Sequence, residues 1–153
     1  MTFMIATPPT TVKTLTTATA GVYLVRIDQS QRSAVRLYLI NPSNPLVSIV
    51  RVKESRWNRY RVWKPLSLLV LAGLTPPEWE ITIVDENLGV PDYPAMPRPD
   101  LVGITAFTAQ ANRAYEVAAH FRRIGVPVVM GGIHATMCLD EVMERVDSAV
   151  TGE

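Results

Sequence analysis

Residues 101–134 read LVGITAFTAQANRAYEVAAHFRRIGVPVVMGGIH, and their pattern is the strongest indication of the fold class. Two short apolar runs, 101–105 and 127–130, flank a segment in which Ala111, Ala114, Tyr115 and Ala118 recur with the period of an amphipathic helix. Gly125 follows that segment, at a position where glycine commonly ends a helix in the left-handed conformation. The stretch therefore predicts a strand, a helix and a second strand parallel to the first.

The same alternation extends to both sides of this unit. Near-continuous apolar runs at 35–40, 80–84 and 148–151 are typical of strands covered by helices on both faces. Proline at the first helical position predicts a helix starting at Lys64-Pro65. The residues expected on its core face are Leu66, Leu69, Val70 and Leu74, and a last short helix is predicted from Leu139, Val142, Met143 and Val146. Right-handed crossovers then predict an α/β fold with a doubly wound, parallel five-stranded sheet in the order 2-1-3-4-5.

Composition restricts the class of protein. With 153 residues, of which 48% are hydrophobic, the chain has the size of one globular domain with a substantial core. A formal net charge of +1 gives no general attraction to nucleic acid or to anionic membranes. The longest uncharged apolar run, 65–74, is shorter than the roughly 18 residues that a membrane-spanning helix needs. We therefore expect a cytoplasmic protein that binds neither membrane nor nucleic acid.

Two segments differ from the rest in composition. Residues 1–34 begin with eight threonines among the first 20 positions and predict a flexible tail, in which 21–25 could form a short strand. The domain is expected to span 35–153. Segment 51–64 holds six of the 15 basic residues and two of the three tryptophans, a mixture that can bind nucleic acid. In a near-neutral domain, a loop that folds over a ligand or against another domain is favoured.

The five predicted strands are each followed by a turn of small or polar residues. In open α/β sheets, ligands bind outside the carboxyl ends of the strands, so these turns are expected to form one site. The turns are 41–44, 85–87, 105–108, 131–134 and 151–153. Neither G-x-G-x-x-G nor a P-loop follows the first strand, which disfavours dinucleotide and P-loop binding.

Several turn residues also have an interpretation without a ligand. Gly131-Gly132 could simply permit a sharp turn, or could let the backbone lie flat against a large planar ligand. Thr105 and Thr108 are residue types common in helix caps. Asp85 and Glu86 could bind ligand hydroxyls or amides, and a solvated turn explains them equally well.

The two most reactive side chains near these turns are His134 and Cys138. A histidine at this place could be a metal ligand, a general base or a polar residue at a helix start, and the last role is the commonest for a lone histidine. Cys138 is expected to be a buried, inert thiol on the first turn of a helix. As the one cysteine, it excludes a disulfide framework or an iron–sulfur site made by this chain alone.

Taken in order, these motifs resemble the N-terminal cobalamin-binding domain of cobalamin-dependent radical S-adenosylmethionine enzymes. The matching pieces are LINP at 39–42, KPLSLL at 64–69, VDEN at 84–87, DLVGIT at 100–105, VVMGGIHAT at 128–136 and VTGE at 150–153. The resemblance covers residues 35–153. It implies a flavodoxin-like (Rossmann-like) domain with cobalamin at the carboxyl edge of the sheet and its nucleotide tail threaded into the domain.

The resemblance also implies which residues contact the cofactor. The tail is expected beside the turns after the third, fourth and fifth strands, while the Asn41 turn and loop 57–61 approach the corrin. The cofactor-binding residues expected are Asn41, Asp85, Glu86, Thr105, Ala106, Phe107, Thr108, Gly131, Gly132, Ile133, His134, Thr151, Gly152 and Glu153. No catalytic residue and no metal ligand is expected within the chain. Replacing Gly132 by leucine is expected to abolish cobalamin binding and to leave the fold intact.

Two departures refine what the resemblance implies. The D-x-H-x-x-G motif that supplies a histidine to cobalt in methyl-transferring and mutase cobalamin domains is absent, which implies a cobalt without protein imidazole. The C-x-x-x-C-x-x-C motif is also absent, so the iron–sulfur cluster and S-adenosylmethionine are expected only in a missing catalytic domain, in cis or in trans.

The chain is therefore expected to be a fragment or stand-alone module of a methyltransferase or similar enzyme, and not catalytic alone. The alternatives are a cofactor-free α/β interaction domain and a flavodoxin-like domain for another nucleotide ligand.

Overall fold

A computed structural model describes residues 16–18, 22–25, 35–45 and 65–152 of the chain. The strands are β1 (Thr16–Ala18), β2 (Val22–Val25), β3 (Arg36–Asn41), β4 (Glu80–Asp85), β5 (Leu101–Thr105), β6 (Val128–Gly131) and β7 (Ser148–Ala149). The helices are α1 (Leu66–Leu74), α2 (Ala111–Arg123), α3 (Ile133–Met137) and α4 (Leu139–Met143), with short 3-10 turns at Tyr93–Ala95 and Thr108–Gln110. Segment 51–64 and its predicted loop lie outside the described residues.

The strands form one seven-stranded sheet in the order β1-β2-β4-β3-β5-β6-β7. Strands β3 to β7 are parallel, and their order is the predicted 2-1-3-4-5. The predicted fold class, a flavodoxin-like doubly wound sheet, is therefore confirmed. This fold forms because the strands are almost continuously apolar, so that both faces of the sheet must be covered by helices.

The sheet continues beyond β4 through two antiparallel strands. Strand β2 pairs with β4, and β1 pairs with β2. The strand predicted at 21–25 is confirmed. The valines and threonines of these two segments suit extended backbone, and the flexible tail predicted for residues 1–34 stays a prediction. The division of the chain at residue 35 stays a prediction.

Side chains that alternate along the parallel strands form two apolar layers, one on each face of the sheet. Tyr38 and Ile40 of β3 pack on the side of α2, together with Ala114, Val117, Ala118 and Phe121. Leu37 and Leu39 point to the opposite face, where Ile81, Ile83 and Leu68 of α1 complete a smaller cluster. The period of two residues in a strand is what separates these sets. The helix predicted from 111 is confirmed; it ends at Arg123, and Gly125 follows the C-cap residue with a φ of 72°.

Helix α1 forms where predicted, but the residues predicted to face the core do not. Leu66 and Leu74 are 68% and 79% exposed, and Leu69 and Val70 are exposed as well. Leu68 is the buried residue of this helix, with Ala72 packed beside it one turn later. Nearly every residue of α1 is apolar, so no polar stripe in the sequence indicates which face of the helix is exposed.

The described residues contain no helix that is both long enough and apolar enough to cross a membrane. The fully described segment between β4 and β5, which holds Pro91, Pro94, Pro97 and Pro99, contains a short 3-10 turn at Tyr93–Ala95 and no α-helix, because proline interrupts regular helical hydrogen bonding.

Candidate functional site

The carboxyl ends of the parallel strands bring the predicted turns to one edge of the sheet. Asn41 at the end of β3 lies opposite Asp85 at the end of β4, and Thr105 of β5 lies opposite Gly131 of β6. The predicted gathering of the turns is thus observed for the described residues. The edge divides into two parts with different chemistry.

The part around β3 and β4 is a buried polar network, defined here as Asn41, Asp85, Asn87 and Gln110. Asp85 Oδ1 accepts hydrogen bonds from Asn41 Nδ2 at 3.1 Å, from the Asn87 amide at 3.1 Å and from Asn87 Nδ2 at 2.9 Å. Asp85 is buried, so the three donors replace the water that the carboxylate has lost. The network locks the first two turns together.

Gln110 connects this network to the third turn. Its Nε2 donates to Asn41 Oδ1 at 3.0 Å and to the Pro42 carbonyl, and its Oε1 accepts from the Phe107 amide at 2.9 Å. The side chain is buried at the start of α2. One amide group therefore satisfies backbone and side-chain partners from two turns that are remote in sequence.

Glu86 lies beneath the same edge and has no exposed surface. Arg113 of α2 donates to it twice, and the Tyr93 hydroxyl donates to its Oε1 at 3.0 Å. The Ser43 amide donates to Oε2 at 3.0 Å. Burial, and then the neighbouring Glu86, raise the pKa of the Tyr93 hydroxyl well above its usual value.

The solvated turn considered for Asp85 and Glu86 is therefore wrong. Both carboxylates are in the interior and are engaged by protein donors, so the structure places them behind the turns. Their role in this structure is to hold the turns in place. Direct contact with a ligand, expected for both acids and for Asn41, stays a prediction.

The part around β5, β6 and β7 is open, and we call residues 105–108, 131–133 and 150–152 the open edge. Phe107 and Ile133 are 55% and 57% exposed, and Val150 is exposed beside them. Thr108 and Thr151 add exposed hydroxyl-bearing residues, and the open edge contains no charged side chain. This mixture of apolar surface, hydroxyls and backbone suits a large, mostly uncharged ligand.

Gly132 sets the geometry of the turn after β6. Its φ of 93° and ψ of −176° belong to a region that only glycine adopts readily. A Cβ here would lie 2.9 Å from Thr105 Oγ1 and 3.0 Å from the Ala106 carbonyl oxygen. The expectation that Gly132→Leu leaves the fold intact is therefore wrong, since the side chain would collide with the backbone of the neighbouring turn.

Thr136 ties the last turn to the same region. Its hydroxyl donates to the Gly132 carbonyl at 3.2 Å and accepts from the Gly152 amide at 3.2 Å. Gly152 has a φ of 97°, and a Cβ there would meet no atom within 4 Å. The backbone of this turn is thus uncovered on the side of the open edge. Glu153 lies outside the described residues.

His134 is buried and held by side-chain partners. Its Nε2 lies 2.7 Å from the Tyr115 hydroxyl, its Nδ1 lies 3.4 Å from Thr108 Oγ1, and its amide donates to the Ala106 carbonyl. The structure places the ring below the open edge and not on it. Cys138 is half-buried and joins α3 to α4, so its predicted place on a first helical turn is shifted by the break between them.

Sequence reasoning missed several residues that build the site. They are Asn87, Tyr93, Gln110, Arg113 and Thr136. Arg113 lies on α2. Its acid partner follows β4, 27 residues earlier, and only the three-dimensional fold joins them.

The chain is similar in sequence to curated methyltransferases. Bacteriochlorophyllide d C-8(2)-methyltransferase of Chlorobaculum tepidum is 42% identical over 98 residues, which are 59% of this chain and 20% of the relative. Bacteriochlorophyllide d C-12(1)-methyltransferase of the same organism is 28% identical over 130 residues, 85% of this chain and 27% of the relative. An uncharacterized methyltransferase of Pyrococcus horikoshii, PH0819, is 37% identical over 100 residues, 58% of this chain and 22% of the relative.

The chain thus spans between a fifth and about a quarter of the length of the curated relatives it matches. No solved structure matches the chain significantly. A family model described as the B12 binding domain matches residues 58–153, which include the turns after β4 to β7. The resemblance drawn from the sequence is confirmed at this level, and the chain belongs to the B12 binding domain family.

Proposed function

We propose that the chain binds cobalamin at the open edge and presents it to a radical S-adenosylmethionine catalytic domain, in cis or in trans. The observation that carries this proposal is the division of the sheet edge. The acids of the second turn are buried and paired, while the open edge offers uncharged surface, hydroxyls and bare backbone. Together with membership of the B12 binding domain family, this division favours cobalamin over a charged nucleotide.

The residues present fit such a ligand. Cobalamin combines a wide corrin ring with a tail that contains an aromatic base, a ribose and a phosphate. Phe107 and Ile133 supply apolar surface for rings, and the threonines of the open edge can donate hydrogen bonds to ribose or phosphate oxygens. Gly131 and Gly152 lack the Cβ that would keep such a tail away from the backbone.

The protein's part in the chemistry is position and burial. When bound, cobalamin supplies a cobalt that can carry a methyl group. Both histidines of the chain are described, and His134 is buried beneath the edge with Tyr115, while His120 packs against Tyr93 and Phe121 on α2. This placement supports a cobalt without a protein imidazole, which remains part of the proposal.

The complete reaction is proposed from the relatives. Two of them are named bacteriochlorophyllide methyltransferases, so we propose that the complete enzyme transfers a methyl group. The iron–sulfur cluster and S-adenosylmethionine would be held by the partner domain, because the one cysteine of this chain cannot supply the several thiolates that hold a cluster. In this arrangement the chain serves as the cofactor carrier of a larger enzyme.

The test uses the purified chain, incubated with hydroxocobalamin and desalted, and its visible absorption spectrum. We expect about one equivalent of retained corrin, since the open edge is a single site. The site variant is Gly131→Leu, because a Cβ at Gly131 would make ordinary contacts of 3.7 and 3.8 Å with Val150 and the backbone can accept it. The longer leucine side chain would then occupy part of the open edge.

Gly73→Leu is the matched control, since Gly73 lies on α1 and a Cβ there would meet no atom within 4 Å. We expect retained corrin in this variant and loss in Gly131→Leu. A folded wild-type chain that emerges colourless would overturn cobalamin binding and favour the interaction-domain alternative. Equal retention by both leucine variants would overturn the placement at the open edge.

A further inference from the structure

Three side chains of different metal-ligating types meet at the junction of α3 and α4. One ligand atom from each of His134, Cys138 and Glu141 lies within 4.8 Å of the other two. We propose that these residues form a binding site for a divalent transition metal of the Zn²⁺ class. The site lies below the open edge, and the proposal does not depend on cobalamin.

The local fold explains why these residues converge. Cys138 interrupts the two short helices with a φ of −130° and a ψ of 46°. Its amide donates to the His134 carbonyl at 2.9 Å, and its own carbonyl accepts from the Val142 amide at 3.0 Å. The helical hydrogen bonds therefore continue across the break. Because His134, Cys138 and Glu141 are four and then three residues apart, their side chains lie on the same side of the α3–α4 unit.

Tyr115 of α2 orients two of the three ligands. Its hydroxyl lies 2.7 Å from His134 Nε2 and is hydrogen-bonded to the Glu141 side chain. The hydroxyl is thus shared between the imidazole and the carboxylate. Such contacts fix ring orientation before any ion arrives, as outer-sphere hydrogen bonds do in metal sites.

The donor set decides the class of ion. Imidazole nitrogen, thiolate sulfur and carboxylate oxygen together suit Zn²⁺ or Co²⁺, whereas Ca²⁺ and Mg²⁺ prefer oxygen ligands alone. Metal–ligand bonds of about 2.0–2.3 Å require the three groups to move slightly closer together. His134 is buried and fixed, but Cys138 is half-buried and Glu141 exposed, so these two can close on the ion. Binding would release the Cys138 thiol proton to solvent.

The test is a titration of the cobalamin-free chain with Co²⁺ under reducing conditions, followed by Zn²⁺. We expect one equivalent of Co²⁺ to produce a thiolate-to-metal charge-transfer absorption that Zn²⁺ abolishes by displacement. Cys138→Ser should remove this absorption, and Glu141→Gln should weaken affinity at least about tenfold. Both positions have exposed surface, so the variants are expected to fold.

Two matched controls keep the result specific. Asp140→Asn removes the carboxylate next to Glu141 in sequence, and His120→Asn removes the other histidine of the chain; neither residue belongs to the cluster. We expect wild-type titrations for both. A wild-type chain without the charge-transfer absorption would overturn the proposal, as would an absorption that survives in Cys138→Ser or is lost equally in Asp140→Asn. Because no step uses cobalamin, these outcomes are independent of corrin binding.

Discussion

Arg113 and Glu86 form a two-point ion pair beneath the sheet edge, with Nε to Oε2 at 2.9 Å and Nη2 to Oε1 at 2.8 Å. The carboxylate side chain is fully buried, while the guanidinium is 30% exposed. The pair connects α2 to the turn after β4. Its parallel geometry is what planar guanidinium and carboxylate groups favour, and it leaves the acid without an unpaired charge.

Replacing Arg113 with alanine is expected to lower the free energy of unfolding by roughly 2–3 kcal/mol, somewhat below the loss for a fully buried pair because the arginine is partly exposed. The cause is the buried Glu86 carboxylate left without its counter-charge. Chemical denaturation measures the change. Arg122→Ala is the control, because the side chains of Arg122 and its partner Asp147 are 40% and 41% exposed. Loss of this exposed pair should lower the free energy of unfolding by at most about 1 kcal/mol. Equal losses in the two variants would contradict the role given to Glu86.

Three glycines are expected to respond differently to alanine. Gly132 has a φ of 93°, and an added Cβ would lie 2.9 Å from Thr105 Oγ1 and 3.0 Å from the Ala106 carbonyl oxygen. Gly132→Ala should therefore lower the free energy of unfolding by about 3 kcal/mol or more. Gly152→Ala has a φ of 97° but open space, so strain alone should cost about 1–2 kcal/mol. Gly73→Ala on α1 should stabilise by up to about 1 kcal/mol. Thermal unfolding gives the ranking, and a Gly132→Ala variant as stable as Gly152→Ala would refute the close approach of the two turns.

Gln110→Ala should destabilise the chain by roughly 2 kcal/mol, because it leaves the Phe107 amide and Asn41 Oδ1 without their hydrogen-bond partner. It should also weaken corrin retention, since the third turn loses its tie to the first. Denaturation and the desalting assay measure the two effects. Asn112→Ala, at an exposed position two residues later in the first turn of α2, should change stability by less than about 0.5 kcal/mol. A Gln110→Ala variant that behaves like Asn112→Ala would show that the network does not hold the turns.

Stability should fall in alkaline solution because of the tyrosines. Burial raises the folded pKa of Tyr115 to about 12 and that of Tyr93 further, from an ordinary value of 10.0. The unfolded chain therefore loses these protons first, so the stabilisation is complete below pH 10 and is lost as pH rises above it. Tyr93 alone should contribute a slope of up to about 1.4 kcal/mol per pH unit.

Denaturation series at several alkaline pH values should therefore show a shallower decline in Tyr93→Phe than in the wild-type chain. Phe is the chosen replacement because it keeps the ring contact with Phe121 and removes only the hydroxyl. Parallel declines in the two proteins would contradict the proposed burial of the Tyr93 hydroxyl as the cause.

The sheet was predictable because its strands carry their own signal. The runs at 35–40, 80–84 and 101–105 are apolar enough to require burial on both faces, and parallel order follows from short connections with helices between them. The face of α1 was not predictable, since LSLLVLAGL offers no polar stripe. Strand β1 was not predicted either, because its pairing with β2 is a property of the assembled sheet.

The site was predictable in place but not in detail. Turn residues at strand ends locate the edge, and the glycine pair marks a point of close backbone approach that Gly132 confirms. The interior positions of Asp85 and Glu86 depend on donors from Asn41 and Arg113, which are distant from them in sequence. Polar residues at a strand end look alike in sequence whether they face solvent or a partner of this kind.

The strands at the two margins of the sheet are both short. Among the described residues, β1 has three residues and β7 has two, while β4, with six, is flanked on both sides. A long exposed margin offers unpaired amides and carbonyls to other chains. Because β2 pairs with β4, the backbone amides and carbonyls on that side of β4 are not available to hydrogen-bond with another chain. These N-terminal strands are thus a safeguard against aggregation, and a chain cut back to residue 35 would present β4 as a six-residue template for intermolecular sheet growth.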